Sequence, residues 1–517
     1  MNWKGLETIG DAYRRNASER SAEVAFVAQD SSLTFGALNE RVNRLNAALA
    51  AAGLTAGDRV VVLAMNRPEI FEVCGVSKTG LIPVPLNWRF TAEGLQKVLE
   101  DCRPAAIVAE GPLHPLVAGY VAGLAGSGER PLLLSLDGPD GDWLDYERVI
   151  ASGSADEVSS TVHPDDTACI VYTSGTTGEP KGAELSHRAL LANTQAVIEQ
   201  AGIVREGDVV LSVMPLFHVG GMWYYAFPAF ALGCKVVILR EFRPTEVIDT
   251  LRREACTAAH FVPTMIAELL QHDDIAVAAD SLRVVFYAGS SIPGEVLRTA
   301  LSVLSGCDLV QGYGSTESAG ISFLTASDHR RALTDAHILS SCGSPFAHVE
   351  VRIDEPDSSG IGEILVKSPN LMKGYWGKPD RTAAVVRDGW LYTGDLGRFD
   401  EEGHLFVVDR KNDMVVSGGE NVYPFEVEEA LREHPAVGDC AVFGVPDQRW
   451  VERVVAAVVV RPGAEVSADD IIGSARTRLP GYKCPKQVIF VDELPKSGAG
   501  KVLRKALREK FTDPAAV

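Results

Sequence analysis

The residues best suited to chemistry lie in one loop, Tyr172–Gly182, which follows an apolar run and reads Tyr-Thr-Ser-Gly-Thr-Thr-Gly-Glu-Pro-Lys-Gly. Its glycines let backbone N–H groups approach an anion closely, its hydroxyl groups add donors, and Lys181 adds a positive charge. The string does not fit the G-x-x-x-x-G-K-[ST] phosphate motif, because Lys181 follows Pro180 and precedes Gly182. A short loop of this composition is more often a flexible turn. The full string predicts a phosphate-binding site.

A second segment, Gln311–Glu317, combines an aromatic ring with oxygen ligands. Tyr313 stands between two glycines, so its ring face is open to a planar base, although a lone tyrosine is more often part of a core. Thr316 and Glu317 offer a hydroxyl group and a carboxylate, which are the hard oxygen ligands that Mg²⁺ prefers. A solvated helix start is the alternative for these two residues, and the residue types alone leave it open.

Three further residues have both a functional and a purely structural interpretation. Asp395, in a Thr-Gly-Asp turn, could accept protons from two sugar hydroxyl groups or could simply form an Asx turn. His218, between Phe217 and Val219, is typical of a hydrogen-bonded core histidine. Lys501 follows Ser-Gly-Ala-Gly in a basic tail, where a solvated lysine is the ordinary interpretation.

The elements that must position these residues alternate between helix and strand. Apolar residues recur at helical spacing at Leu38, Val42, Leu45 and Leu49, and Val60–Leu63 is typical of a buried strand. Further strands are predicted at Val209–Val213, Lys235–Leu239, Val284–Tyr287 and Asp308–Val310. This alternation predicts a layered α/β fold with a largely parallel sheet.

A chain of 517 residues is expected to hold about three domains, at roughly 150 residues per domain. We predict a large N-terminal domain of layered α/β subdomains with a small β-barrel-like unit, followed by a small, mobile α+β C-terminal domain. The predicted bounds are 1–409 for the N-terminal domain, with subdomains at about 1–160 and 161–340 and the β unit at about 341–399, and 410–517 for the C-terminal domain.

The C-terminal domain has its own helix and strand signals. Pro424 suits a first helical position, and apolar strands are predicted at Cys440–Val445 and Val454–Val460. Ser467 with Asp470 resembles a capping box and predicts a second helix.

Composition places the chain among soluble globular proteins, with 46% apolar and 23% charged residues and a formal net charge of −20. A field of that sign repels phosphate polymers and anionic lipid, so no nucleic-acid partner and no stable membrane insertion are expected. The nine cysteines lack C-x-x-C spacing, which predicts buried free thiols in a reducing compartment rather than disulfides or zinc. Without a signal peptide or a long apolar run, we expect a cytoplasmic protein; a homodimer is left open.

Six segments between residues 172 and 501 match, in the same order, the motifs of the adenylate-forming (AMP-binding) superfamily. The chain resembles this superfamily, which includes acyl-CoA synthetases, peptide-synthetase adenylation domains and luciferases, and in particular its acyl-CoA synthetase or fatty-acid–CoA ligase branch. The matching segments are Tyr172–Gly182, Pro215–Gly221, Gln311–Glu317, Tyr392–Asp395, Asp409–Pro424 and Pro495–Lys501. An ordered set of this size is far more specific than any single motif.

The resemblance implies a role for residues in each segment. Lys501, His218 and Glu317 are expected to be catalytic. Lys501 closes over the carboxylate and the α-phosphate, and His218 orients the acyl group. Glu317 binds Mg²⁺ together with Thr177, and Asn412 is the hinge. The cofactor-binding residues implied are Thr173, Ser174, Gly175, Thr176, Thr177, Gly178, Lys181, Gly312, Tyr313, Gly314, Thr316, Asp395, Arg410, Gly418 and Gly419.

The implied reaction has two steps. A carboxylate attacks the α-phosphorus of ATP to give an acyl-adenylate and pyrophosphate, and the thiol of coenzyme A then displaces AMP. ATP, Mg²⁺ and coenzyme A are the expected cofactors. A rotation near Asn412 is expected to exchange Lys501 for the Ser417–Asn421 loop between the steps.

The expected substrate is an apolar monocarboxylic acid of fatty, terpenoid or aryl type. The expected pocket residues are apolar, aromatic or small, and none is a Lys or Arg that could pair with a second carboxylate. These residues are Met222, Trp223, Phe261, Thr264, Gly289 and Ser290.

Four alternatives stay open on the sequence. The acceptor could be the thiol of a carrier protein, or the enzyme could be a luciferase-like oxygenase. The chain could retain only one half-reaction, because Ala499 stands where the family usually has a hydroxyl residue. A non-catalytic nucleotide-binding protein with the same fold is the fourth, and the presence of Lys181, Glu317, Asp395 and Lys501 argues against it.

Replacement of Lys501 by alanine is expected to slow adenylation by roughly 10²–10³, or about 3–4 kcal/mol, because it removes positive charge from the transferring phosphoryl group. Thioester formation from synthetic acyl-adenylate should suffer much less. The two rates are measured as pyrophosphate release and as acyl-CoA formed, and equal losses in both would contradict the assignment.

Overall fold

The structure is a computed structural model of the 517-residue chain. It describes residues 4–29, 31–125, 130–159, 161–173, 180–290, 292–417, 420–447, 449–496 and 502–512. The chain divides into two compact units, Met1–Val351 with Val366–Leu391 and Arg352–Leu365 with Tyr392–Val517. The predicted bounds of the C-terminal domain, 410–517, and of the subdomains stay predictions.

The strands of the described residues are β1 Val24–Ala28, β2 Ser31–Thr34, β3 Arg59–Leu63, β4 Ile82–Leu86, β5 Ala106–Ala109, β6 Leu132–Ser135, β7 Leu144–Asp145, β8 Thr167–Thr173, β9 Lys181–Ser186, β10 Val209–Ser212, β11 Lys235–Ile238, β12 Ala258–Phe261, β13 Val284–Ala288, β14 Asp308–Ser315, β15 Ala319–Leu324, β16 Ser344–Pro345, β17 Glu350–Asp354, β18 Gly362–Lys367, β19 Gly374–Tyr375, β20 Val386–Arg387, β21 Trp390–Phe399, β22 Leu405–Arg410, β23 Val415–Ser417, β24 Glu420–Val422, β25 Val437–Asp447, β26 Val451–Val460 and β27 Gln487–Phe490.

The α-helices of the same residues are α1 Ile9–Glu19, α2 Phe35–Ala51, α3 Glu69–Cys74, α4 Ala92–Cys102, α5 His114–Gly123, α6 Tyr146–Ser152, α7 His187–Glu199, α8 Val219–Gly221, α9 Phe227–Leu232, α10 Pro244–Glu254, α11 Pro263–Leu269, α12 Ile275–Ala278, α13 Gly294–Val303, α14 Ala326–Arg331, α15 Pro379–Val385, α16 Pro424–Arg432, α17 Ala468–Arg476 and α18 Arg504–Thr512. A π-helical turn, Met222–Ala226, joins α8 to α9.

In the first unit, the described strands form three sheets. The order β4-β3-β5-β6-β7 is parallel throughout, and β19-β9-β8 is antiparallel. The third sheet has the order β16-β15-β14-β13-β12-β10-β11-β1-β2, with a parallel centre from β14 to β1. The predicted layered α/β fold with largely parallel sheets is therefore confirmed.

The predicted helix and strands of this unit are present because their apolar residues are buried. Leu38, Val42, Leu45 and Leu49 all lie on the buried side of α2, at no more than 1% exposed. The strand predicted at Val60–Leu63 is buried in β3, as expected for a strand covered on both faces. Strand β1 pairs with β11 and β2 pairs with β1, so the first two strands belong to the largest sheet and not to the sheet that contains β3.

In the second unit, β25 and β26 are the core of a sheet with the order β24-β23-β26-β25, to which β27 adds beside β26. Pro424 begins α16, and Ser467 with Asp470 forms the predicted capping box of α17. A separate sheet of the described residues has the order β17-β18-β21-β20, with β22 beside β21, and it is open, so the predicted barrel-like unit is wrong. Short edge strands leave this sheet unclosed.

All nine cysteines are free thiols, and all but Cys342 are buried, as the sequence predicts. Nowhere in the described part of the chain does a helix combine the length and the apolar character that crossing a bilayer requires.

A buried ion pair holds the polar connection between α6 and β8 in place within the first unit. The side chain of Lys78 is 0% exposed, and its ammonium group donates to Asn39 Oδ1 at 2.9 Å and to Asn43 Oδ1 at 2.7 Å. Glu157, from the connection, lies 2.5 Å from the same nitrogen. Burial lowers the pKa of Lys78 to about 8, against the opposing effect of Glu157. The pKa of Glu157 falls to about 2, because hydrogen bonds from Lys78 and Asn39 outweigh its burial.

Glu157→Gln is expected to lower the free energy of unfolding at pH 7 by about 1–3 kcal/mol, because it leaves the buried Lys78 ammonium without a counter-ion. The lowered pKa means that wild-type Glu157 stabilises the fold above pH 4.5 and loses this effect as pH falls towards 2. Urea unfolding of the variant should therefore approach that of the wild type at low pH. Glu23→Gln, in an exposed pair with Arg20, is the control. Equal stability of Glu157→Gln and wild type at pH 7 would contradict this role.

Candidate functional site

The hairpin of β8 and β9 determines where the predicted phosphate loop begins and ends. Thr173 and Lys181 are cross-strand partners, and Thr173 Oγ1 donates to the carbonyl oxygen of Lys181 at 3.5 Å. Lys378 bonds Asp101 and donates to the carbonyl oxygen of Pro180 at 2.9 Å, which fixes the end of the loop. The predicted loop residues Ser174, Gly175, Thr176, Thr177 and Gly178 lie outside the described residues.

Lys181 and Glu317, predicted from segments far apart in the sequence, meet at one aromatic ring. Lys181 Nζ lies 5.6 Å from the centroid of the Tyr375 ring, and the Tyr375 hydroxyl donates to Glu317 Oε1 at 2.9 Å. Burial, together with the charge of Glu317, raises the pKa of Tyr375, so the hydroxyl remains a donor at neutral pH. The structure therefore groups a cation, a hydroxyl group and a carboxylate.

The sequence alone does not single out Tyr375. It lies in the short strand β19, where it pairs with Ala183 of β9, and its N–H donates to Thr382 Oγ1 at 2.9 Å. Three residues earlier, the N–H of Met372 donates to the carbonyl oxygen of Glu317 at 2.9 Å. These bonds hold the segment against both hairpins. Its sequence signal is weak, since Gly374-Tyr375-Trp376 also suits an ordinary turn.

Glu317 and Thr316 occupy a tight turn between β14 and β15 rather than the start of a helix. Ser315 N–H donates to Ser318 Oγ at 2.9 Å, and Ser318 N–H donates back to Ser315 Oγ at 3.2 Å. A Cβ atom on Gly314 would lie 2.0 Å from the carbonyl oxygen of Ala319, so only glycine fits. The turn therefore holds Glu317 just after β14, the strand that contains Gly312 and the half-buried Tyr313.

Two side chains tie this turn to the segment that follows His218. The Tyr224 hydroxyl donates to the carbonyl oxygen of Ser315 at 2.6 Å. Asn193, in α7, accepts from Gly320 N–H at 3.2 Å and donates to the carbonyl oxygen of Trp223 at 3.4 Å. The predicted acyl segment and the predicted adenine segment are thus neighbours.

His218 is exposed and begins the α8 turn. Its Nδ1 accepts the N–H of Gly220 at 3.1 Å, so the neutral ring carries its proton on Nε2. Buried Asn66 fixes the loop before it, because Oδ1 accepts from Leu216 N–H at 2.8 Å and Nδ2 donates to Met214 at 3.0 Å. The structure thus fixes the orientation of the histidine but does not bury it as a core residue.

Five of the six residues predicted to line the acyl pocket fall into a buried group and an exposed group. Met222 and Trp223 are fully buried at 0% in the π-helical turn. Thr264, Gly289 and Ser290 are exposed.

Phe261 does not lie on the same face of the sheet as His218. It lies in the core cluster between the largest sheet and α10, α11 and α13, among Leu251 and Ile266. Successive residues of a strand point to opposite faces, so the preceding residue, His260, is the one on the His218 side.

In the second unit, two of the predicted cofactor-binding residues are bonded to each other. Asp395 and Arg410 are cross-strand partners in β21 and β22, and Arg410 Nε lies 2.6 Å from Asp395 Oδ1. Asp395 is 6% and Arg410 51% exposed at the side chain. The residue before Arg410, Asp409, is buried, which raises its pKa to about 6.

The predicted hinge residue, Asn412, is held through its backbone by the C-terminal helix. Arg508 donates from Nη1 to the carbonyl oxygen of Asn412 and from Nη2 to that of Asp413, both at 3.0 Å. Lys496 and Val502 form an isolated bridge at the two ends of the predicted lysine loop. The predicted residues Lys501, Gly418 and Gly419 lie outside the described residues.

Glu317 fits Mg²⁺ better than it fits a metal that is bound by protein alone. The described residues contain no group of three or more His, Cys, Asp or Glu side chains placed to hold a metal ion. Mg²⁺ commonly uses one or two carboxylates and takes its other ligands from phosphate and water. A single carboxylate beside the predicted phosphate loop matches this mode of coordination.

The sequence and the fold are similar to those of known proteins. The AMP-binding enzyme family matches residues 13–376, and the AMP-binding enzyme C-terminal domain matches residues 426–501. A feruloyl-CoA synthase of Amycolatopsis sp is 37% identical over 93% of this chain and 94% of that protein. The fatty acid–[acyl-carrier-protein] ligase ScoC of Streptomyces coeruleorubidus is 33% identical over 99% and 98%. The crystal structure of ATP-bound MatB from Rhodopseudomonas palustris is 28% identical, covers 98% and 99%, and has a TM-score of 0.88.

Tyr375→Phe is expected to weaken binding of Mg-ATP about 3- to 10-fold, because it removes the hydroxyl group that orients Glu317 and retains the ring beneath Lys181. Tyr375→Leu should weaken binding further, because it also removes the cation–π contact. Calorimetric titration with a non-hydrolysable ATP analogue measures both. Tyr13→Phe, which removes a buried hydroxyl bonded to the carbonyl oxygen of Phe71, is the control. Unchanged affinity in both Tyr375 variants would rule out the role.

Proposed function

The chain belongs to the family of AMP-binding enzymes, and from this premise we propose that it joins an apolar monocarboxylic acid to coenzyme A in an ATP-dependent, AMP-forming reaction. Enzymes of its CoA-ligase branch use ATP, Mg²⁺ and coenzyme A. The observation that carries the proposal is the convergence of Lys181 and Glu317 on Tyr375, beside the ends of the phosphate loop.

The first step is limited by repulsion between two anions. A carboxylate that approaches a triphosphate needs positioning and positive charge, not a base, because it is already ionised at neutral pH. Lys181 supplies a positive charge at the end of the phosphate loop. Glu317, held by Tyr375, would bind Mg²⁺, which when bound neutralises charge on the phosphate oxygens.

Lys501 and the Asp395–Arg410 pair complete the proposed machinery. We assign Lys501 to the transferring phosphoryl group in the first step, and Asp395 to the ribose hydroxyl groups of the nucleotide. Asp395 is nearly buried beside Arg410, and its carboxylate oxygens can accept hydrogen bonds from the ribose hydroxyl groups. Asn412 is assigned as the hinge about which the predicted C-terminal domain, 410–517, rotates between the steps.

His218 is assigned to orient the acyl group. Its Nδ1 accepts a backbone N–H, which makes this nitrogen unsuited to act as a base, and the neutral ring carries its proton on Nε2. An orienting donor is therefore better supported than acid–base catalysis.

The proposed apolar substrate rests on the side chains near His218. Met222 and Trp223 are buried, and the rings of Tyr225 and Phe286 lie on the same side of the sheet, 6.3 Å apart. None of these residues is charged. A second carboxylate on the substrate would find no cation among them, so a monocarboxylic acid is favoured. Feruloyl-CoA synthase, a relative at 37% identity, is named for an aryl acid.

A carrier-protein thiol is the second candidate acceptor. The relative ScoC, named as a fatty acid–[acyl-carrier-protein] ligase, matches 99% of this chain. The residues of the first half-reaction would be the same for both acceptors, so they do not discriminate.

A panel of fatty, terpenoid and aryl acids, each with ATP and Mg²⁺, tests the proposal. We expect pyrophosphate release with at least one apolar acid, and an acyl thioester with coenzyme A at least about tenfold faster than with a phosphopantetheinylated carrier protein. Malonate and succinate, which carry a second carboxylate, are the matched controls. Thioester formation only on the carrier protein would favour the second candidate. Release of pyrophosphate without any thioester would indicate a single half-reaction. No release of pyrophosphate with any acid would refute the proposal.

A further inference from the structure

The largest sheet of the first unit has two faces that differ in polarity. Phe261 lies in the apolar core on one face, and the preceding residue, His260, points to the other. The register sets Phe286 beside His260 in the adjacent strand. Continuation of the parallel pairing of β10 with β12 places Ser212 on the other side of His260. This second face therefore carries a row of polar and aromatic side chains.

Three buried side chains of this region have polar atoms for which the described residues provide no hydrogen-bond partner. His260 is 1% exposed, and neither Nδ1 nor Nε2 is bonded. Ser212 Oγ and the hydroxyl group of Tyr225 are also buried without a hydrogen-bond partner among the described residues. The rings of Tyr225 and His260 are 5.2 Å apart. Because an unsatisfied buried polar group costs free energy, a partner for His260 is expected from outside this part of the chain.

The chemistry of that partner follows from the charge of the ring. Burial lowers the pKa of His260 to about 3, and His218 acts in the same direction, so the ring is neutral at physiological pH. A neutral imidazole offers one N–H donor and one acceptor nitrogen. A hydroxyl or carbonyl group matches this ring, whereas a buried carboxylate would lack a counter-ion.

His260 lies at the position where an acyl group is expected. A Cβ atom on Gly220 would lie 3.4 Å from His218 Nδ1 and 3.8 Å from His260 Cε1, so both rings border the same glycine. Phe286, whose ring centroid is 4.7 Å from that of His260, leaves no room for a side chain at Gly312, where a Cβ atom would lie 2.7 Å from Cζ. His260 thus borders the predicted acyl segment, and the ring of Phe286 lies between it and Gly312 of the predicted adenine segment.

We propose that His260 is a specificity-determining residue of the acyl site, and that the preferred acid carries a neutral hydroxyl or carbonyl group on an otherwise apolar, ring-bearing body. The flat rings of Phe286 and Tyr225 favour a cyclic or aryl body over a flexible alkyl chain. The inference rests on the proposed function and narrows its substrate class.

An internal water molecule bonded to His260 and Ser212 is the alternative that the test must separate. Such a water would satisfy the same atoms without any preference among acids. The two explanations therefore differ in substrate discrimination and not in the stability of the protein.

The test compares three cinnamic acids that differ at one position: unsubstituted, 4-methyl and 4-hydroxy. The 3-hydroxy isomer and the corresponding phenylpropanoic acids cover other positions of the oxygen. For the wild-type chain we expect kcat/KM for pyrophosphate release to be at least about tenfold higher for the best hydroxylated acid than for its methyl counterpart, which has the same size. Equilibrium binding of the same acids, in the presence of a non-hydrolysable ATP analogue, should show the same order.

Variants of His260 assign the discrimination to this ring. His260→Phe retains a planar side chain without hydrogen-bonding groups, so the hydroxyl-to-methyl ratio should fall to about 1 or below. His260→Gln retains a donor and an acceptor and should keep part of the ratio. The control is His329→Phe, a buried histidine whose ring nitrogens bond Tyr287 and Thr325, and its ratio should equal that of the wild type. Thermal unfolding shows whether each variant folds. If His260→Phe does not fold, the hydroxyl-to-methyl ratio of His260→Gln is the test.

Two results would overturn the inference alone: turnover of apolar acids with a hydroxyl-to-methyl ratio near 1 in the wild type, or a ratio that survives in both His260 variants. The absence of pyrophosphate release with every acid would instead overturn the proposed function, and the inference with it. The internal-water explanation predicts the first of these results.

Discussion

Two anions must meet in the reaction of this family, a carboxylate and a triphosphate, in a chain whose formal net charge is −20. Coulomb repulsion between them is strong in a site shielded from water, so positive charge has to be concentrated locally. Lys181 provides such a charge at the base of the phosphate loop. Its position above the Tyr375 ring, which in turn donates to Glu317, keeps the cation near the carboxylate without a direct ion pair that would neutralise both.

The surrounding strands keep those groups in place through backbone contacts. The β8–β9 hairpin positions Lys181, the turn after β14 positions Glu317, and β19 positions Tyr375 between them. Met372, two residues before β19 begins, connects this segment to the carbonyl oxygen of Glu317. Gly314 is needed because the turn brings its backbone against that of Ala319. The chemistry is therefore supported by secondary structure and not by side-chain packing alone.

The sequence predicts helices and strands well where the spacing of apolar residues is regular, as in α2 and β3. It predicts less well which face of a short buried strand looks into a site: in β12, where every residue is buried, a one-residue step separates Phe261 from His260. Tyr375 was missed for another reason, because its role depends on a strand pairing with residues almost two hundred positions earlier. The turn that holds Glu317 likewise depends on a serine pair that propensity alone does not identify.

The most direct measurement is a crystal structure of the chain with Mg²⁺ and a non-hydrolysable ATP analogue. The account predicts the triphosphate against the loop between Thr173 and Lys181, with Mg²⁺ bound to Glu317 and the Tyr375–Glu317 hydrogen bond retained. A nucleotide bound elsewhere in the chain, or a metal ion with no contact to Glu317, would contradict it.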